Sequence, residues 1–242
     1  MTLAVLLPGY LPSIPFFAML AAADVALLAD DLQYSTRSNL NRARIKTATG
    51  AQWLTVPVLS KGRLGQSIAA VRIDPYHEWR KRHWRSLMVN YAPAPYWGRY
   101  EGALEEVYGR SWDSLLDLNR TLIEMLALEL GLKVPMGLTS RFSTHPARTD
   151  KVVDLLRACG CDTYLVLRAD YHLVDSERIA GMGLTVRPVD VAEPIYHQLF
   201  GPFVPGFSVL DLLMNEGPSA AALIQQSAKV APEGRARQSP CI

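Results

Sequence analysis

The side chains best suited to acid–base chemistry in this sequence are one histidine and one acidic pair. His83 lies in the strongly basic segment 80–85, and neighbouring cations disfavour an imidazolium. A neutral imidazole accepts protons at cellular pH, so His83 is predicted to be a general base, with a half-buried helix histidine as the alternative. Asp30 and Asp31 could take a proton from an amine nucleophile or orient His83; the alternative is a loop-capping role.

A second group of residues has side chains suited to binding a substrate. A candidate clamp for a phosphate or carboxylate consists of Arg42, Lys46, Arg80 and Lys81, with a solvated helix face as the alternative. Asparagine amides can fix a hydroxyl or amide of a ligand, and tyrosine rings can wall a pocket, with aromatic core packing as the alternative. The predicted substrate-binding residues are Tyr10, Gln33, Asn41, Arg42, Arg80, Asn90, Tyr91 and Tyr96.

Several of these residues follow two short apolar runs, Leu3–Leu7 and Val25–Ala29. Runs of this length between breakers are typical of buried strands. In an open α/β sheet the ligand binds beyond the carboxyl ends of the strands. The side chains expected to share one crevice there are Tyr10, Asp30, Asp31, Gln33 and Asn41.

The remaining patterns predict an α/β, Rossmann-like fold with a mostly parallel sheet and a helical insertion at about 78–131. Further predicted strands are Trp53–Val58, Val134–Leu138, Thr163–Leu167 and Leu184–Pro188. Predicted helices are Phe16–Ala23, Glu78–Asn90, Tyr100–Tyr108, Ser111–Leu130, Thr149–Ala158, Ser176–Met182 and Ser208–Asn215. Leu32–Ile45 is polar and is predicted to be an ordered loop. We expect a single α/β domain over 1–228 and a disordered tail over 229–242.

Composition excludes several classes of protein. The chain has 242 residues, 49% of them hydrophobic, and a formal net charge of +2, too small to predict DNA as a partner. No apolar run approaches the length of a membrane span. Three cysteines without a CxxC pair favour a cytoplasmic protein and predict no metal site. There is no Walker A loop or Gly-x-Gly-x-x-Gly fingerprint, so the cofactor stays unknown.

The order of short motifs from Pro8 to Gly217 resembles that of the WbqC-like protein family of bacteria. The matching motifs are Pro8-Gly9-Tyr10-Leu11-Pro12 with Phe16-Phe17, Asp30-Asp31-Leu32-Gln33-Tyr34, Asn41-Arg42, Trp53-Leu54-Thr55-Val56-Pro57-Val58, Trp79-Arg80-Lys81-Arg82-His83, Asn90-Tyr91, Ala94-Pro95-Tyr96, and Ser208-Val209-Leu210-Asp211-Leu212-Leu213 with Asn215 and Gly217. The family usually has Gln before the first proline, where this chain has Leu7. The resemblance implies an enzyme encoded among genes for surface polysaccharides, amino sugars or specialised metabolites.

A weaker likeness is to pantothenate synthetase-like nucleotidyltransferases, which share the pattern of strand, proline-bearing loop, helix and strand. Those enzymes use two histidines in the first loop to stabilise ATP phosphates. The corresponding loop, Pro8–Phe17, contains no histidine. The likeness therefore bears on the fold and not on the mechanism.

These observations predict a biosynthetic transferase that joins an activated acyl or aminoacyl group to an amine or hydroxyl of a small metabolite or amino sugar. The donor could be a nucleotide-activated acid, a CoA or carrier-protein thioester, or an aminoacyl-tRNA. The alternatives are a nucleotide-dependent ligase or nucleotidyltransferase, and a non-catalytic accessory protein. If the protein is a non-catalytic accessory protein, we expect no ordered polar pocket beneath Tyr10 and Asp31.

Overall fold

The computed structural model describes residues 1–36 and 38–231. The described strands are β1 (Thr2–Leu6), β2 (Val25–Leu28), β3 (Arg42–Thr47), β4 (Gly50–Thr55), β5 (Met136–Leu138), β6 (Thr163–Leu167), β7 (Thr185–Val191) and β8 (Ala228–Val230). The described α-helices are α1 (Ile14–Ala22), α2 (Trp79–Tyr91), α3 (Trp97–Gly109), α4 (Leu115–Glu129), α5 (Arg148–Ala158), α6 (Ser176–Ala180), α7 (Val209–Glu216) and α8 (Ala220–Ser227).

Six of these strands form one sheet in the order β5-β2-β1-β6-β7-β8. All neighbouring pairs are parallel except β7 with β8, which is antiparallel. This mainly parallel sheet with its helices confirms the predicted α/β, Rossmann-like fold. Helices α2, α3 and α4 follow one another between β4 and β5, where the sequence predicts a helical segment.

Both faces of the sheet are covered. Ala4 and Leu6 of β1 belong to the larger core cluster, with Phe17 of α1. Leu3 points the other way and packs in a second cluster with Leu156 of α5. This alternation follows from the period of two along a strand, and burial of both faces explains why the residues of β1 after Thr2 are all apolar.

The carboxyl end of β1 is where the sheet opens. β1 pairs with β2 as far as Leu6 and Leu28, whereas its pairing with β6 ends at Ala4 and Leu165. Within this sheet, the strands that next follow β1 in the chain, β2 and β5, lie on one side of it, and the chain then crosses to β6 and β7 on the other side. Such a switch in strand order leaves a crevice above the strand ends in open α/β sheets.

One predicted element was wrong. Leu32–Ile45 is not entirely loop, because Arg42–Thr47 is strand β3 and pairs antiparallel with β4 in a separate two-stranded sheet. The predicted strand Trp53–Val58 therefore starts earlier, at Gly50, and lies outside the main sheet. The physical reason is a tight turn in which Thr47 pairs with Gly50, whose φ of 115° only glycine adopts easily.

Other element boundaries moved by a few residues. α4 begins at Leu115 and not at Ser111, because the Ser114 hydroxyl accepts from the Asp117 amide as an N-cap. Thr149, the predicted first residue of its helix, lies one residue inside α5, and its hydroxyl accepts from the Asp175 amide. Lys229, at the start of the segment predicted to be disordered, lies in β8; residues 232–242 lie outside the described part.

Across the described residues, no helix has both the length and the apolar character needed to cross a bilayer.

Candidate functional site

A cavity of about 380 Å³ opens next to the carboxyl end of β1. Its walls are the loop that joins β1 to α1, the β3–β4 hairpin, and the entry to α7. The lining residues are Leu7, Gly9, Tyr10, Leu11, Pro12, Ser13, Phe16, Ser38, Asn39, Leu40, Arg42, Ala43, Arg44, Trp53, Gly206, Phe207 and Ser208. Its size is typical of small-molecule sites, and none of its described lining residues is acidic.

The β1–α1 loop is held in an unusual conformation. Leu11 has a φ of 42°, in the left-handed region that side chains other than glycine rarely adopt. The Tyr10 amide donates to the Leu40 carbonyl at 3.1 Å, which joins this loop to the neighbouring wall of the cavity. Strain of this kind persists where surrounding structure enforces it, and it is concentrated at functional sites.

The side chain of Asn119 forms hydrogen bonds to both of these walls. It lies on α4 with no exposed surface, and its Nδ2 donates to the Pro8 carbonyl at 2.8 Å and the Leu40 carbonyl at 2.7 Å. The sequence places this amide on an apolar helix face, where a buried polar group must find partners. Those partners are the two loops that line the cavity.

The hairpin brings two arginines and a tryptophan to the cavity. Arg44 and Trp53 are opposite each other in the β3–β4 register, and Arg42 is two positions away on the same face. The Arg42 guanidinium lies 4.7 Å from the centroid of the Trp53 ring and that of Arg44 lies 5.9 Å away. Arg44 also lies 5.2 Å from the Phe207 ring. Among the described residues, no carboxylate forms an ion pair with Arg44.

Two helices begin at the cavity. Ser13 precedes α1 and Ser208 precedes α7; the two serines form an antiparallel bridge, and both line the cavity. Helix N-termini carry partial positive charge, although at α7 the amides of Val209, Leu210 and Asp211 already donate to Pro12 and Ser208. Together with Arg42 and Arg44, they give this cavity the electrostatics of an anion site.

The hydroxyl of Tyr10 contacts a histidine behind the cavity wall. It lies 2.9 Å from Nδ1 of His83 and 2.5 Å from the hydroxyl of Tyr108. All three residues are buried. Because the His83 ring also hydrogen-bonds the Thr55 backbone, we assign Nδ1 as the acceptor from Tyr10.

His83 is neutral, mainly for a reason the sequence does not reveal. Burial lowers the pKa of His83 to about 4, the Thr55 backbone hydrogen bond opposes this, and the Arg82 charge lowers it further. The sequence analysis attributes the neutral form to neighbouring cations, but desolvation is the larger cause. Burial also raises the pKa of Tyr10, so both groups are uncharged at neutral pH.

A buried hydrogen-bond network, here termed the Asp211 network, holds the loop that leads to the cavity. The Asp211 carboxylate accepts from the Tyr91 and Tyr196 hydroxyls and from Gln198 Nε2, at 2.8, 2.8 and 2.9 Å. Gln198 Oε1 accepts from Lys46 Nζ at 3.0 Å. Burial raises the pKa of Asp211 and the hydrogen bonds oppose that shift. Thus Lys46, on the hairpin, is bound to residues of the loop over 192–207.

The predicted convergence of the acidic pair with Tyr10 was wrong. Asp30 accepts from the Thr139 hydroxyl and the Ser140 amide, and Asp31 forms an ion pair with Lys151. Burial raises the pKa of Asp31, but hydrogen bonds from Lys151 and Thr139 lower it by more, so the net pKa lies below its usual value. Both acids face β5 and α5, on the side of β2 away from β1, because β5 is the neighbour of β2 there.

Other predicted site residues are also placed elsewhere. Gln33 lines a separate, more open cavity of about 500 Å³. Asn41 Nδ2 donates to the Val56 carbonyl, and Asn90 Nδ2 to the Ser86 carbonyl of its own helix. Arg80 donates to the carbonyls of Gly109 and Arg110 at the end of α3. Predicted residues not lining the 380 Å³ cavity are His83, Asp30, Asp31, Gln33, Asn41, Arg80, Asn90, Tyr91 and Tyr96.

Of the residues predicted from the sequence, the cavity brings together Tyr10 and Arg42, with His83 in contact with Tyr10. Sequence reasoning missed Arg44, Trp53 and Phe207 as site residues. A signal was available, because Arg42, Arg44 and Lys46 alternate with Ala43 and Ile45 as in a strand with one basic face. In the described part of the chain, no group of three or more His, Cys, Asp or Glu side chains could hold a metal ion.

Comparison with known proteins gives two matches. The family model described as "WbqC-like protein family" matches residues 8–223. The Uncharacterized protein Rv1507c of Mycobacterium tuberculosis (strain ATCC 25618 / H37Rv) is 32% identical over 219 residues, which cover 90% of this chain and 94% of that protein. No solved structure is a significant match. Because the family model covers most of the chain, the protein belongs to the WbqC-like protein family.

Proposed function

We propose that this protein is a biosynthetic transferase that binds an activated, anionic acyl or aminoacyl donor in the cavity beside β1. The observation that carries the proposal is the pair Arg42 and Arg44 in a cavity without acidic lining residues among those described. A phosphate or carboxylate on the donor would pair with these guanidinium groups. CoA, carrier-protein and tRNA-borne donors all carry such a phosphate.

The acceptor in this proposal is an amine or hydroxyl of a small metabolite or amino sugar. Its nitrogen or oxygen attacks the acyl carbon, the bond to the leaving group breaks, and the acceptor loses a proton. In this proposal neutral His83 takes that proton through the Tyr10 hydroxyl, which it contacts at 2.9 Å. Asp30 and Asp31 have a structural role in this proposal, since they hold β5 and α5.

A second candidate, a nucleotide-dependent ligase or nucleotidyltransferase, is favoured by where the cavity lies. It lies beyond the first strand and at the N-terminus of α1, where phosphates bind in related folds. The non-catalytic alternative predicts no ordered polar pocket beneath Tyr10 and Asp31; the cavity is lined by Tyr10 but not by Asp31, so this alternative stays open.

The test combines binding and product formation. Wild type, Arg44→Gln and the control Arg120→Gln are compared; Arg120 is exposed on α4 and pairs with Glu124. Probes are acetyl-CoA, ATP with Mg²⁺ and UDP-N-acetylglucosamine in thermal-shift assays. Acetyl-CoA is then incubated with amino-sugar nucleotides, and mass spectrometry detects acylated amine.

We expect Arg44→Gln to weaken binding of the acyl donor about tenfold or more, because one charge-assisted contact is lost, while Arg120→Gln binds as wild type. Transfer by wild type with reduced transfer by Arg44→Gln supports the transferase. Stabilisation by ATP with Mg²⁺ alone, with release of pyrophosphate, supports the ligase instead. Donor affinity unchanged in Arg44→Gln would overturn the placement of the donor.

A further inference from the structure

The exposure of the Trp53 ring in the cavity wall is the feature that narrows the class of ligand. The side chain is 46% exposed although it lines a cavity, and Arg42 packs against its ring at 4.7 Å. Because an exposed indole face costs hydration free energy, a ring left open in a cavity indicates a ligand that stacks on it. An aliphatic or compact anionic ligand would make no use of this face.

Charge and ring face are presented together. Arg44 lies 5.9 Å from the Trp53 centroid and 5.2 Å from the Phe207 centroid, so its guanidinium is fixed between two rings. Gly206 makes room for it, because a Cβ at Gly206 would lie 3.3 Å from an Arg44 guanidinium nitrogen. The cavity therefore offers a rigid cation within a few ångströms of a stacking surface, which suits a planar group joined to a phosphate.

We propose that the ligand of this cavity is a nucleotide or a nucleotide-linked substrate, whose base stacks on Trp53 and whose phosphate pairs with Arg44. This inference rests on the proposed function, because it names the chemical class of the anion that the cavity binds. A nucleotide sugar, CoA and ATP all belong to that class. The register fixes both contacts, since Arg44 and Trp53 are cross-strand neighbours on one face of the hairpin.

The test uses two probes that differ by the base alone, UMP and ribose 5-phosphate, titrated by calorimetry into wild type, Trp53→Ala, Trp53→Phe and Arg44→Gln. We expect wild type to bind UMP about tenfold more tightly than ribose 5-phosphate because of stacking. Trp53→Ala is expected to lose this preference while still binding ribose 5-phosphate, because Phe207 still packs against Arg44. Trp53→Phe restores the preference, and Arg44→Gln weakens both probes.

Other outcomes overturn the inference. Equal affinity for the two probes in wild type, a preference that survives in Trp53→Ala, or no binding of either probe each rules out base stacking on Trp53. Ribose 5-phosphate binding that depends on Arg44 without any base preference leaves the anionic donor of the transferase intact. Repeating the titration with UDP-N-acetylglucosamine, CoA and ATP shows which source of the nucleotide the cavity prefers.

Discussion

The phenol oxygen of Tyr10 lies 2.9 Å from Nδ1 of His83, although 73 positions separate these residues in the chain. The contact joins the loop after the first strand to helix α2, and Tyr108 of α3 completes it from the other side at 2.5 Å. His83, the predicted general base, thus belongs to a buried polar cluster that holds the cavity wall in place.

Burial of His83 predicts a pH-dependent stability. The folded-state pKa of His83 is about 4 and the ordinary value is 6.5, so between these pH values the unfolded chain binds a proton that the folded chain does not. Stability must therefore fall as the pH drops from 6.5 toward 4, by about 3 kcal/mol from this group. Urea unfolding of wild type and His83→Gln across this range measures it. Equal slopes for the two proteins would contradict the assignment.

Asn119→Ala tests the fastening of the two cavity loops. The change removes two buried hydrogen bonds. The Leu40 carbonyl still accepts from the Tyr10 amide, so the Pro8 carbonyl is the group that loses its donor, at a cost of about 1–3 kcal/mol. Ligand affinity of the cavity is expected to fall as well, because the loops are no longer held together.

The control for this experiment is Leu122→Ala, one turn along the same helix and equally buried. It should lose about 2–5 kcal/mol of stability by leaving a cavity in the core. UMP affinity at a temperature where both variants are folded separates the two effects. If Leu122→Ala weakens UMP binding as much as Asn119→Ala does, the amide has no specific positioning role.

Asp31→Asn distinguishes a catalytic from a structural acidic pair. Asp31 is partly exposed and its ion pair with Lys151 lies outside the cavity lining. We expect a loss of about 1 kcal/mol at neutral pH, and ligand affinity and transfer like those of wild type. The lowered pKa of Asp31 means that this contribution is present above pH 3.8 and disappears as the pH falls below it. Loss of transfer in a folded Asp31→Asn protein would restore the catalytic hypothesis.

Asp211→Asn should release the loop over 192–207. An amide cannot accept from all three donors that the carboxylate serves, which are Tyr91, Tyr196 and Gln198. At least one buried donor then stays unpaired, at about 1–3 kcal/mol. Hydrogen exchange should accelerate in this loop before it does in β1 or β6. Exchange that accelerates uniformly would indicate global destabilisation, and Asp24→Asn, at an exposed acid, serves as the control.

Gly217→Ala should be destabilising for two separable reasons. The residue has a φ of 53°, and an added Cβ would lie 2.4 Å from the ring of Tyr96. The clash and the backbone strain together predict a loss of at least about 2 kcal/mol. In the double variant with Tyr96→Ala the clash is gone and the strain remains. The loss of stability in the double variant should therefore be smaller than the sum of the losses in the two single variants. Simple additivity in chemical denaturation would contradict the contact.

The sequence is informative where one local pattern decides the structure. β6 has the predicted bounds, Thr163–Leu167, because an apolar run between breakers leaves a buried strand as the natural reading. Strand β3 was predicted as part of a loop, although the alternation of Arg42 and Arg44 with Ala43 is a local signal for a strand. The charge of the two arginines favoured the prediction of a polar loop. Burial of one face of the hairpin, seen at Ile45, is what decides the strand.

Site residues were harder to predict because their partners are distant in the chain. Asp31 contacts Thr139 and Lys151, which lie 108 and 120 positions away, and no spacing in the sequence reveals that choice. Tyr10 lines the cavity because it follows the central strand, and open α/β sheets bind their ligands beyond the carboxyl ends of the strands; its role in substrate binding stays a prediction. Asp30 and Asp31 lie away from the cavity because they follow β2, whose neighbour on the side away from β1 is β5, and they bond residues on that side.

Strand β8 completes the sheet beside β7, with Val189 paired to Val230 and Val191 to Ala228. A chain that stopped at Ser227 would remove the strand that pairs with Val189–Val191, and an uncovered strand edge can pair with the same edge of another copy. Shortened versions of this protein should therefore precipitate or self-associate unless they retain Ala228–Val230, a practical constraint on anyone trimming its C-terminal segment for crystallisation.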